Sequence, residues 1–342
     1  MPEFAELSLW TNALVFVAAA AVVWWAGTSL SRYVDAISRK TGIGEALAGM
    51  LLLGGITSLP EIAVSTSAGL AGNADLAVSN ILGGVALQVV IIAIGDALIP
   101  GRPISTQIAS PTVLLQGAFS CLLLILVAAA VVVGDIAVFG VGLWSTAILV
   151  AGVLMFWMMS RYRQREGWRP TVAPQEAASD QPHDPITLRA AVLRTCAMGA
   201  AILVAGYLLA RSGEVIAAQT GLGQAFAGAV LVGATTSLPE ISTVVGAVRI
   251  RRYTLAFADI FGTNIFDVML VFVIDLAASG PAVLETQGAF AAFGALLGVA
   301  VTLLYIVGLV ERRNRAAWRL GYDSWAVLGT YACGVGVLYF LR

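Results

Sequence analysis

The sequence predicts an all-α membrane protein in which ten transmembrane helices form two inverted five-helix repeats. Three observations support this fold class: an apolar composition, ten apolar segments of bilayer length and a motif that occurs twice. Hydrophobic residues make up 59% and charged residues 11% of the 342 residues. Soluble globular chains have roughly 45–50% apolar and about 25% charged residues. The composition therefore excludes a soluble globular protein and makes the lipid bilayer the expected surroundings.

The ten apolar segments are separated by one polar stretch. A helix that crosses a bilayer needs about 20 mostly apolar residues. Residues 161–189 are polar and contain proline, and they are expected to form a cytoplasmic linker between the first repeat, 1–160, and the second, 190–342. The candidate spans lie near 10–30, 44–70, 74–98, 109–133, 136–160, 190–210, 222–248, 253–277, 284–310 and 323–341.

The basic residues predict the orientation of the spans. If the N-terminus lies outside, seventeen of the nineteen Lys and Arg residues fall on the inner side, and only Arg211 and Arg342 fall outside. Such an excess of basic residues is typical of cytoplasmic loops. Both termini are therefore expected outside. Because each half has an odd number of helices, the second half must cross the membrane in the opposite sense to the first.

One motif appears twice, 179 residues apart. Residues 54–61 read GGITSLPE and residues 233–240 read GATTSLPE. Thirteen of twenty-one positions are identical between 41–61 and 220–240. The correspondence continues without a gap over 41–96 and 220–275. The chain therefore contains an internal duplication centred on this motif.

Each copy places a proline and a glutamate inside an apolar run, as Pro60-Glu61 and Pro239-Glu240. Proline removes one backbone hydrogen bond from a helix, and a backbone carbonyl freed at membrane depth is tolerated where it lines a cavity. Carbonyl, hydroxyl and carboxylate oxygens suit hard cations such as Na⁺ and Ca²⁺. A single copy is equally consistent with a simple kink, in which the glutamate caps a neighbouring helix. Two copies favour an ion site, because a buried ionisable group in a membrane is costly.

Other polar side chains lie close to each glutamate. A threonine four residues earlier shares its helix face, and a serine follows that threonine: Thr57 and Ser58 in copy one, Thr236 and Ser237 in copy two. The next helix carries a stripe with a four-residue spacing: Asn80, Gly84 and Gln88, then Asp259, Thr263 and Asp267, with Asn264 beside the second stripe. Interhelical hydrogen bonding is the alternative role of such groups. Since no Lys or Arg lies at that depth, cations or protons are expected to neutralise the acids.

Asp96 and Asp275 also correspond across the duplication. They fall near the predicted helix ends, where water is expected to be close, so a structural or gating role is favoured over ion binding. Glu45 and Glu214 lie near segment ends and are expected to be solvated.

The two TSLPE segments, each followed by a glycine-centred helix, resemble the α-repeats of the cation/calcium exchanger superfamily. The helices read SNILGGVALQ at 79–88 and ADIFGTNIFD at 258–267, and the prokaryotic sodium/calcium exchangers are the most similar branch. The resemblance covers about 41–96 and 220–275. Ten helices, outward termini and inverted halves also fit that superfamily, and its prokaryotic branch implies an inner (cell) membrane. It implies alternating access, in which two gating helices slide against a core.

The resemblance also implies roles for individual residues. Glu61 and Glu240 would bind both Ca²⁺ and Na⁺, with backbone carbonyls from Thr57 and Thr236. Ser58 and Ser237 would line adjacent Na⁺ sites, Thr263 would help to form one, and Asp267 would carry a proton when ions are bound.

Three positions depart from the superfamily pattern. Gly84 lacks the expected hydroxyl, Gln88 replaces the usual asparagine, and Asp259 stands where asparagine is common. The missing oxygen predicts one fewer Na⁺ site. The additional acid favours protons or another cation.

The predicted function is therefore a secondary antiporter that exchanges Na⁺ for Ca²⁺, and the alternative is a cation/proton (Ca²⁺/H⁺) antiporter on the same scaffold. An intramembrane enzyme is disfavoured because no nucleophile–base pair is evident. A passive channel stays an alternative that ion flux without a counter-ion would favour. An ATP-driven pump is disfavoured because no nucleotide-binding loop is present. No cofactor, nucleotide or nucleic-acid partner is expected. The residues predicted to bind the transported cations are Glu61, Glu240, Thr57, Thr236, Ser58, Ser237, Asp267, Thr263, Asp259, Gln88 and Asn80.

Overall fold

The computed structural model describes residues 4–70, 72, 74–99, 102–108, 110–138, 140–162, 186–220, 233–278, 280–312 and 315–341. Within these ranges the chain is helical apart from turns, short connections and two small hairpins. The helices are α1 (Leu9–Thr41), α2 (Glu45–Ala48), α3 (Gly55–Thr57), α4 (Leu59–Leu70), α5 (Ala74–Ala97), α6 (Pro111–Val133), α7 (Leu143–Arg161), α8 (Leu188–Thr220), α9 (Gly233–Thr236), α10 (Leu238–Arg249), α11 (Tyr253–Ala277), α12 (Ala289–Glu311) and α13 (Tyr322–Leu341). A π-helical turn, Gly49–Gly54, joins α2 to α3, and 3₁₀ turns occupy Phe4–Glu6 and Ile104–Gln107.

The hairpins are a small correction to the all-α prediction. β1 (Ala137–Val138) pairs antiparallel with β2 (Val141–Gly142), and β3 (Ala316–Ala317) pairs in the same way with β4 (Leu320–Gly321). Each hairpin directly precedes a helix of its half, α7 or α13. Segments of two residues carry no periodic pattern, so sequence periodicity could not predict them.

Eight of the described helices are long and apolar enough to cross a membrane, and the bent segment 45–70 is a ninth candidate. The remaining predicted span, 222–248, is the seventh in chain order and would bring the total to ten; its first part falls within residues 221–232, which lie outside the described residues. Its remainder forms α9 and α10. Most of the predicted linker, residues 163–185, also lies outside them. The structure therefore shows a helical multi-span protein and leaves the span 222–248 untested.

Helices α1 and α8 are longer than predicted. Each has 33 residues, or about 50 Å at the usual rise, whereas the predicted spans were 10–30 and 190–210. Helix α1 continues through polar residues until Gly42, whose left-handed φ of 71° ends it. Apolar content alone underestimated the length, because a helix can continue after it leaves the hydrocarbon region.

Burial separates central helices from peripheral ones. In the apolar window of α11, 67% of residues are buried, and in that of α5, 61%. The values for α1 and α8 are 28% and 33%. Around α11, the Phe257 ring stacks edge-to-face with Phe261 at 5.6 Å and with Tyr305 at 5.5 Å. The polar stripes predicted on α5 and α11 therefore lie on the two most enclosed spans.

Glycines allow the first TSLPE segment to lie directly on α11. A Cβ on Gly54 would be 2.7 Å from the Thr263 nitrogen, and one on Gly262 would be 2.6 Å from the Met50 Cα. Such distances leave no room for a side chain. The π-helical turn and α11 therefore pack backbone to backbone at these positions.

We expect Gly262→Ala to destabilise the protein, because the new methyl group would push against the Met50 backbone rather than against a flexible side chain. The cost should be about 1–3 kcal/mol, visible as a lower apparent Tm in detergent. Gly83→Ala is the control, since its Cβ would meet no atom within 4 Å. Equal Tm values for the two variants would contradict the close packing.

Asp96 and Asp275 are buried, with 0% and 2% exposure, which corrects the expectation that water is close to them. Asp96 accepts hydrogen bonds from Ile104 N, Gly321 N and Ser324 Oγ, each at 2.7 Å. Gly321 and Ser324 belong to the second half of the chain, so this carboxylate ties the end of α5 to the start of α13.

Asp275, in the second half, makes the corresponding contacts to the first half. It accepts hydrogen bonds from Val283 N at 2.9 Å, Gly142 N at 2.6 Å and Ser145 Oγ at 2.5 Å. Here Gly142 and Ser145 belong to the first half. We call these two sets of contacts the crossover clamps. Because each joins the C-terminal end of a central helix to the other half, they support the structural role predicted for both residues.

The two glutamates expected to be solvated are also paired. Glu45 Oε1 lies 2.7 Å from Arg252 Nη1, and Glu214 Oε2 lies 3.0 Å from Arg211 Nη1. The first pair joins distant segments, whereas the second lies within α8.

Candidate functional site

Each TSLPE motif breaks a helix at its serine. Helix α3 ends at Thr57 and α4 begins at Leu59, with a bend of 44° between the two parts. The second copy has the same order, with α9 ending before Ser237 and α10 beginning after it. Both prolines therefore lie in the first turn of a new helix, where a missing N–H is tolerated. The break directs the start of this helix, rather than its middle, toward the site.

Glu61 and Glu240 lie in the first turns of α4 and α10. A helix N-terminus carries partial positive charge that favours an anion. Glu61 is 6% exposed and Glu240 is 0% exposed, and among the described residues none forms a hydrogen bond to any of their four carboxylate oxygens. Buried carboxylates are normally paired or bound to a metal. These two glutamates are therefore the strongest candidates for binding a cation.

Hydrogen bonds join the first TSLPE segment to the α11 stripe. The hydroxyls of Thr57 and Thr263 are 3.1 Å apart. The Ser58 hydroxyl donates to Asp267 Oδ1 at 3.0 Å. The two halves of the duplication thus meet at the polar positions that the sequence singled out.

Helix α5 joins the same cluster through Gln88. Its Nε2 donates to Asp267 Oδ2 at 2.7 Å, while its buried Oε1 has no hydrogen-bond partner among the described residues. Asp267 therefore accepts one bond on each oxygen. Asn80, one end of the same stripe, is only half-buried, and no hydrogen bond within the described chain joins it to the other predicted residues.

Gly84, the middle position of the α5 stripe, has free space around it. A Cβ there would meet nothing within 4 Å, in contrast to Gly54 and Gly262. A hydroxyl-bearing side chain would therefore fit at this position.

Asp259 is fully buried and hydrogen-bonds through Oδ2 to the Thr243 hydroxyl. Its Oδ1 has no partner within the described chain, and its backbone oxygen accepts a bond from the Thr263 hydroxyl at 2.9 Å. The sequence reasoning did not find Thr243. Its counterpart in copy one is Val64, so the difference between the copies was a signal for it.

Thr236 and Ser237 are buried beside Glu240, with 8% and 2% exposure. Asn264 is fully buried, and within the described ranges neither atom of its amide has a hydrogen-bond partner. It was noticed beside the stripe but was not placed among the ion-binding residues. Its polarity on a buried helix was the available signal.

Acidic groups dominate the site. The Glu240 carboxylate interacts electrostatically with those of Glu61, Asp259 and Asp267, and no salt bridge from the described Arg and Lys residues reaches these four groups. Repulsion between them favours neutralisation by a cation or proton. Within the described residues, no three His, Cys, Asp or Glu side chains are arranged to hold a metal ion by themselves. Hydroxyl, amide or backbone oxygens would have to complete any coordination shell.

Comparison with known proteins extends over both halves. A model of the family described as sodium/calcium exchanger protein matches residues 11–161 and 191–340. Two relatives are CaxA of Alkalimonas amylolytica, whose name describes it as an antiporter, and the inner membrane protein YrbG of Escherichia coli (strain K12). CaxA is 26% identical over 78% of this chain and 83% of its own length. YrbG is 28% identical over 77% of this chain and 78% of its own length.

A solved structure supports the fold independently. The sodium-calcium exchanger NCX_Mj, soaked with Na⁺ and Sr²⁺, superposes with a TM-score of 0.72 at 15% identity. The superposition covers 96% of this chain and 99% of that one. At this identity the likeness establishes the fold alone.

Proposed function

The chain belongs to the sodium/calcium exchanger protein family, and on that premise we propose that it is a secondary antiporter that exchanges Na⁺ for Ca²⁺ by alternating access. The family is one of cation exchangers, and the chain is an integral multi-pass membrane protein. The observation that carries the ion assignment is the pair of buried carboxylates, Glu61 and Glu240, whose oxygens have no partner in the described chain.

Competition for the same oxygens would couple the two ions. Both cations prefer oxygen ligands, and both would need the carboxylates of Glu61 and Glu240. Occupancy by one ion would therefore exclude the other. The empty site would place several like charges together in a buried region, which is unfavourable, so only a loaded or protonated carrier would change its open side.

Side chains around the glutamates would complete the coordination. Thr57, Thr263 and Ser58 supply hydroxyl oxygens from both halves, and the Gln88 Oε1 supplies an amide oxygen. The remaining predicted ligands, Thr236, Ser237, Asn80, Asp259 and Asp267, keep their proposed roles as contributors to the same site.

A Ca²⁺/H⁺ antiporter is the second candidate. Two features favour it: the buried Asp259, which hydrogen-bonds to Thr243, and Gly84, which lacks a hydroxyl for Na⁺. Neither feature is mirrored in the other copy, where Asn80 corresponds to Asp259 and Thr263 corresponds to Gly84.

We further propose the ten-helix inverted arrangement, with both termini outside an inner membrane. The crossover clamps support opposite directions for α5 and α11. The C-terminal end of α5 meets the start of α13 and, through Ile104, leads to the start of α6. The C-terminal end of α11 instead meets Gly142, which follows the far end of α6. If α6 spans the membrane, these two C-termini lie at opposite faces.

The test uses Na⁺-loaded liposomes that contain the purified protein. Dilution into Na⁺-free buffer should drive uptake of radiolabelled Ca²⁺. Wild-type protein that takes up no Ca²⁺ under a Na⁺ gradient, but does so under a pH gradient, would replace the first candidate by the second. Uptake without any counter-ion gradient would contradict both.

Restoring the missing hydroxyl should strengthen the use of Na⁺. A serine at position 84 has space and adds one oxygen to the α5 stripe. One additional ligand worth about 1 kcal/mol corresponds to roughly fivefold in affinity. We therefore expect Gly84→Ser to lower the half-maximal Na⁺ concentration about fivefold, measured as inhibition of Ca²⁺ uptake by external Na⁺. Gly83→Ala is the control, and an unchanged Na⁺ dependence in Gly84→Ser would remove position 84 from the site.

A further inference from the structure

Four charged side chains form a linear network of ion pairs at one end of the molecule, in the order Arg39, Asp35, Arg252 and Glu45. Arg252 Nε lies 2.9 Å from Asp35 Oδ1, and its Nη1 lies 2.7 Å from Glu45 Oε1. Arg39 Nη2 lies 2.9 Å from Asp35 Oδ2. The Arg252 and Asp35 side chains are only 13% and 7% exposed. The network has two positive and two negative charges and is therefore neutral overall.

The network joins three separate parts of the fold. Asp35 lies near the end of α1, and Glu45 is the first residue of α2, where the first TSLPE segment begins. Arg252 lies in the turn between α10 and α11, held by a hydrogen bond from its N–H to the Ala247 carbonyl at 2.8 Å. This turn includes Arg251 with a left-handed φ of 57°. The guanidinium therefore extends from a constrained turn between two helices of the site.

Helix α1 packs closely against α10 but lies outside the crossover clamps. The crossover clamps fix α5 and α11 to the opposite halves, but they do not involve α1. Where α1 meets α10 the residues are small: a Cβ on Gly27 would be 1.8 Å from Ser242 Oγ, and one on Gly246 would be 2.9 Å from the Thr28 carbonyl. Small residues let two membrane helices lie close, and across this boundary the Ser31 hydroxyl donates to the Thr243 carbonyl at 2.8 Å. Movement of α1 against the core would break the network at its end.

The sequence of the second half cannot form an equivalent network. When the 179-residue offset of the duplication is extended to α1 and α8, Asp35 matches Glu214, which pairs with Arg211 three residues earlier in the same helix. The positions that correspond to Arg39, Glu45 and Arg252 carry uncharged residues: Ala218, Gln224 and Asn73. In a duplicated transporter, the outward-open and inward-open states differ in energy only through residues that break the repeat. The charged network is present in one half only, so it can make the energies of the two states unequal.

We propose that Arg252, Asp35 and Glu45 form an ionic latch that holds the end of α1 against the core and favours the state closed at this basic end of the molecule. The proposal rests on the alternating access of the proposed function. Arg39 orients the Asp35 carboxylate. The basic residues Lys40, Arg249 and Arg251 surround this end, which is expected to face the cytoplasm.

Loss of the guanidinium should release the latch. Without Arg252, two carboxylates from different elements remain close, with only Arg39 to neutralise them, and like charges favour separation. The population then shifts toward the state open at this end. Apparent affinity scales with the population of the binding-competent state. The apparent Ca²⁺ affinity should therefore rise at the face that opens more often and fall at the opposite face. In Arg252→Lys, the ammonium group cannot contact both carboxylates as the planar guanidinium does. This variant should therefore keep only part of the latch.

The first experiment measures Ca²⁺ dependence separately at each face. Everted membrane vesicles present the cytoplasmic face, and right-side-out vesicles present the other. For Arg252→Gln we expect half-maximal exchange at about fivefold less Ca²⁺ at the cytoplasmic face and about fivefold more at the outer face. Arg252→Lys should lie between wild type and Arg252→Gln. Glu214→Gln, which removes the corresponding acid of the second half, should match wild type at both faces.

The second experiment needs no transport. Hydrogen–deuterium exchange of purified protein should become faster in residues 35–57 of Arg252→Gln and remain unchanged there in Glu214→Gln. Affinity that changes in the same direction at both faces, or exchange rates equal to wild type, would overturn the latch. Wild-type vesicles that exchange no Ca²⁺ would refute the proposed function instead, and the hydrogen–deuterium measurement would then decide on the latch alone.

Discussion

Replacing Glu61 or Glu240 by glutamine should abolish Ca²⁺ transport and leave the protein folded. Each glutamate is buried, and its oxygens have no hydrogen-bond partner in the described chain. Glutamine has nearly the same shape but loses the charge that attracts a cation. Two unit charges about 4 Å apart interact by about 4 kcal/mol at an effective dielectric constant near 20, which corresponds to more than about 100-fold in affinity.

The measurement is uptake of radiolabelled Ca²⁺ into Na⁺-loaded liposomes. We expect at least about a 100-fold lower rate for each variant at limiting Ca²⁺, with an unchanged elution profile in size-exclusion chromatography. Glu214→Gln is the matched control, because Glu214 pairs with Arg211 within α8, outside the site. Normal uptake by either site variant would remove that glutamate from the binding site.

A different expectation holds for thermal stability. The variant Glu240→Gln relieves repulsion from three neighbouring acids. In the absence of Ca²⁺ it should therefore melt no lower than wild type. A large loss of Tm in Glu240→Gln would indicate that the glutamate holds the fold together, as a helix cap would.

The second large effect is expected at the crossover clamps, and it concerns stability. In Asp275→Asn, one acceptor oxygen becomes an NH₂ group, so the backbone N–H of either Gly142 or Val283 faces a donor instead of an acceptor. A buried donor without an acceptor costs about 1–3 kcal/mol, and a hydrogen bond to a charged group is worth about 1.5–3 kcal/mol. We expect Asp275→Asn to lose about 3 kcal/mol of stability, and Asp96→Asn to lose a similar amount for the same reason.

The apparent Tm in detergent, with retained monodisperse protein, is the measurement. Ser145→Ala and Asp275→Asn both remove the charged hydrogen bond between Ser145 and Asp275, so the double variant should lose less than the sum of the single losses. The control is Glu285→Gln, an exposed acid close to Val283. Strict additivity of Ser145→Ala and Asp275→Asn would contradict the clamp.

The duplication in the sequence picked out most of the residues that the structure brings together in the candidate site. The paired Glu61 and Glu240, and the stripe positions Gln88, Thr263 and Asp267, were all identified from the repeated motif and its spacing. Helical periodicity placed them on shared faces, and the structure brings Thr57, Ser58 and Gln88 onto α11. Asn80 is the exception, since no hydrogen bond in the described chain includes it in the cluster.

The misplaced residues share one physical cause. Asp96, Asp275 and Glu45 were expected near water because they fall close to the ends of apolar segments. Whether a helix end meets water depends on what packs over it, and here hairpins or turns from distant segments supply donors to these carboxylates. Thr243 was missed for a similar reason, because its partner Asp259 is 16 residues away.

By itself, the sequence determined that this is a helical membrane protein with a duplicated, proline-broken and acidic motif. Those features follow from composition and from local periodicity, which act along the chain. Only the tertiary structure decided which polar groups meet: the Thr57–Thr263 and Gln88–Asp267 contacts, the crossover clamps and the Arg252–Asp35 ion pair. Each joins residues far apart in the chain, so its formation depends on how the helices pack rather than on any neighbouring residues.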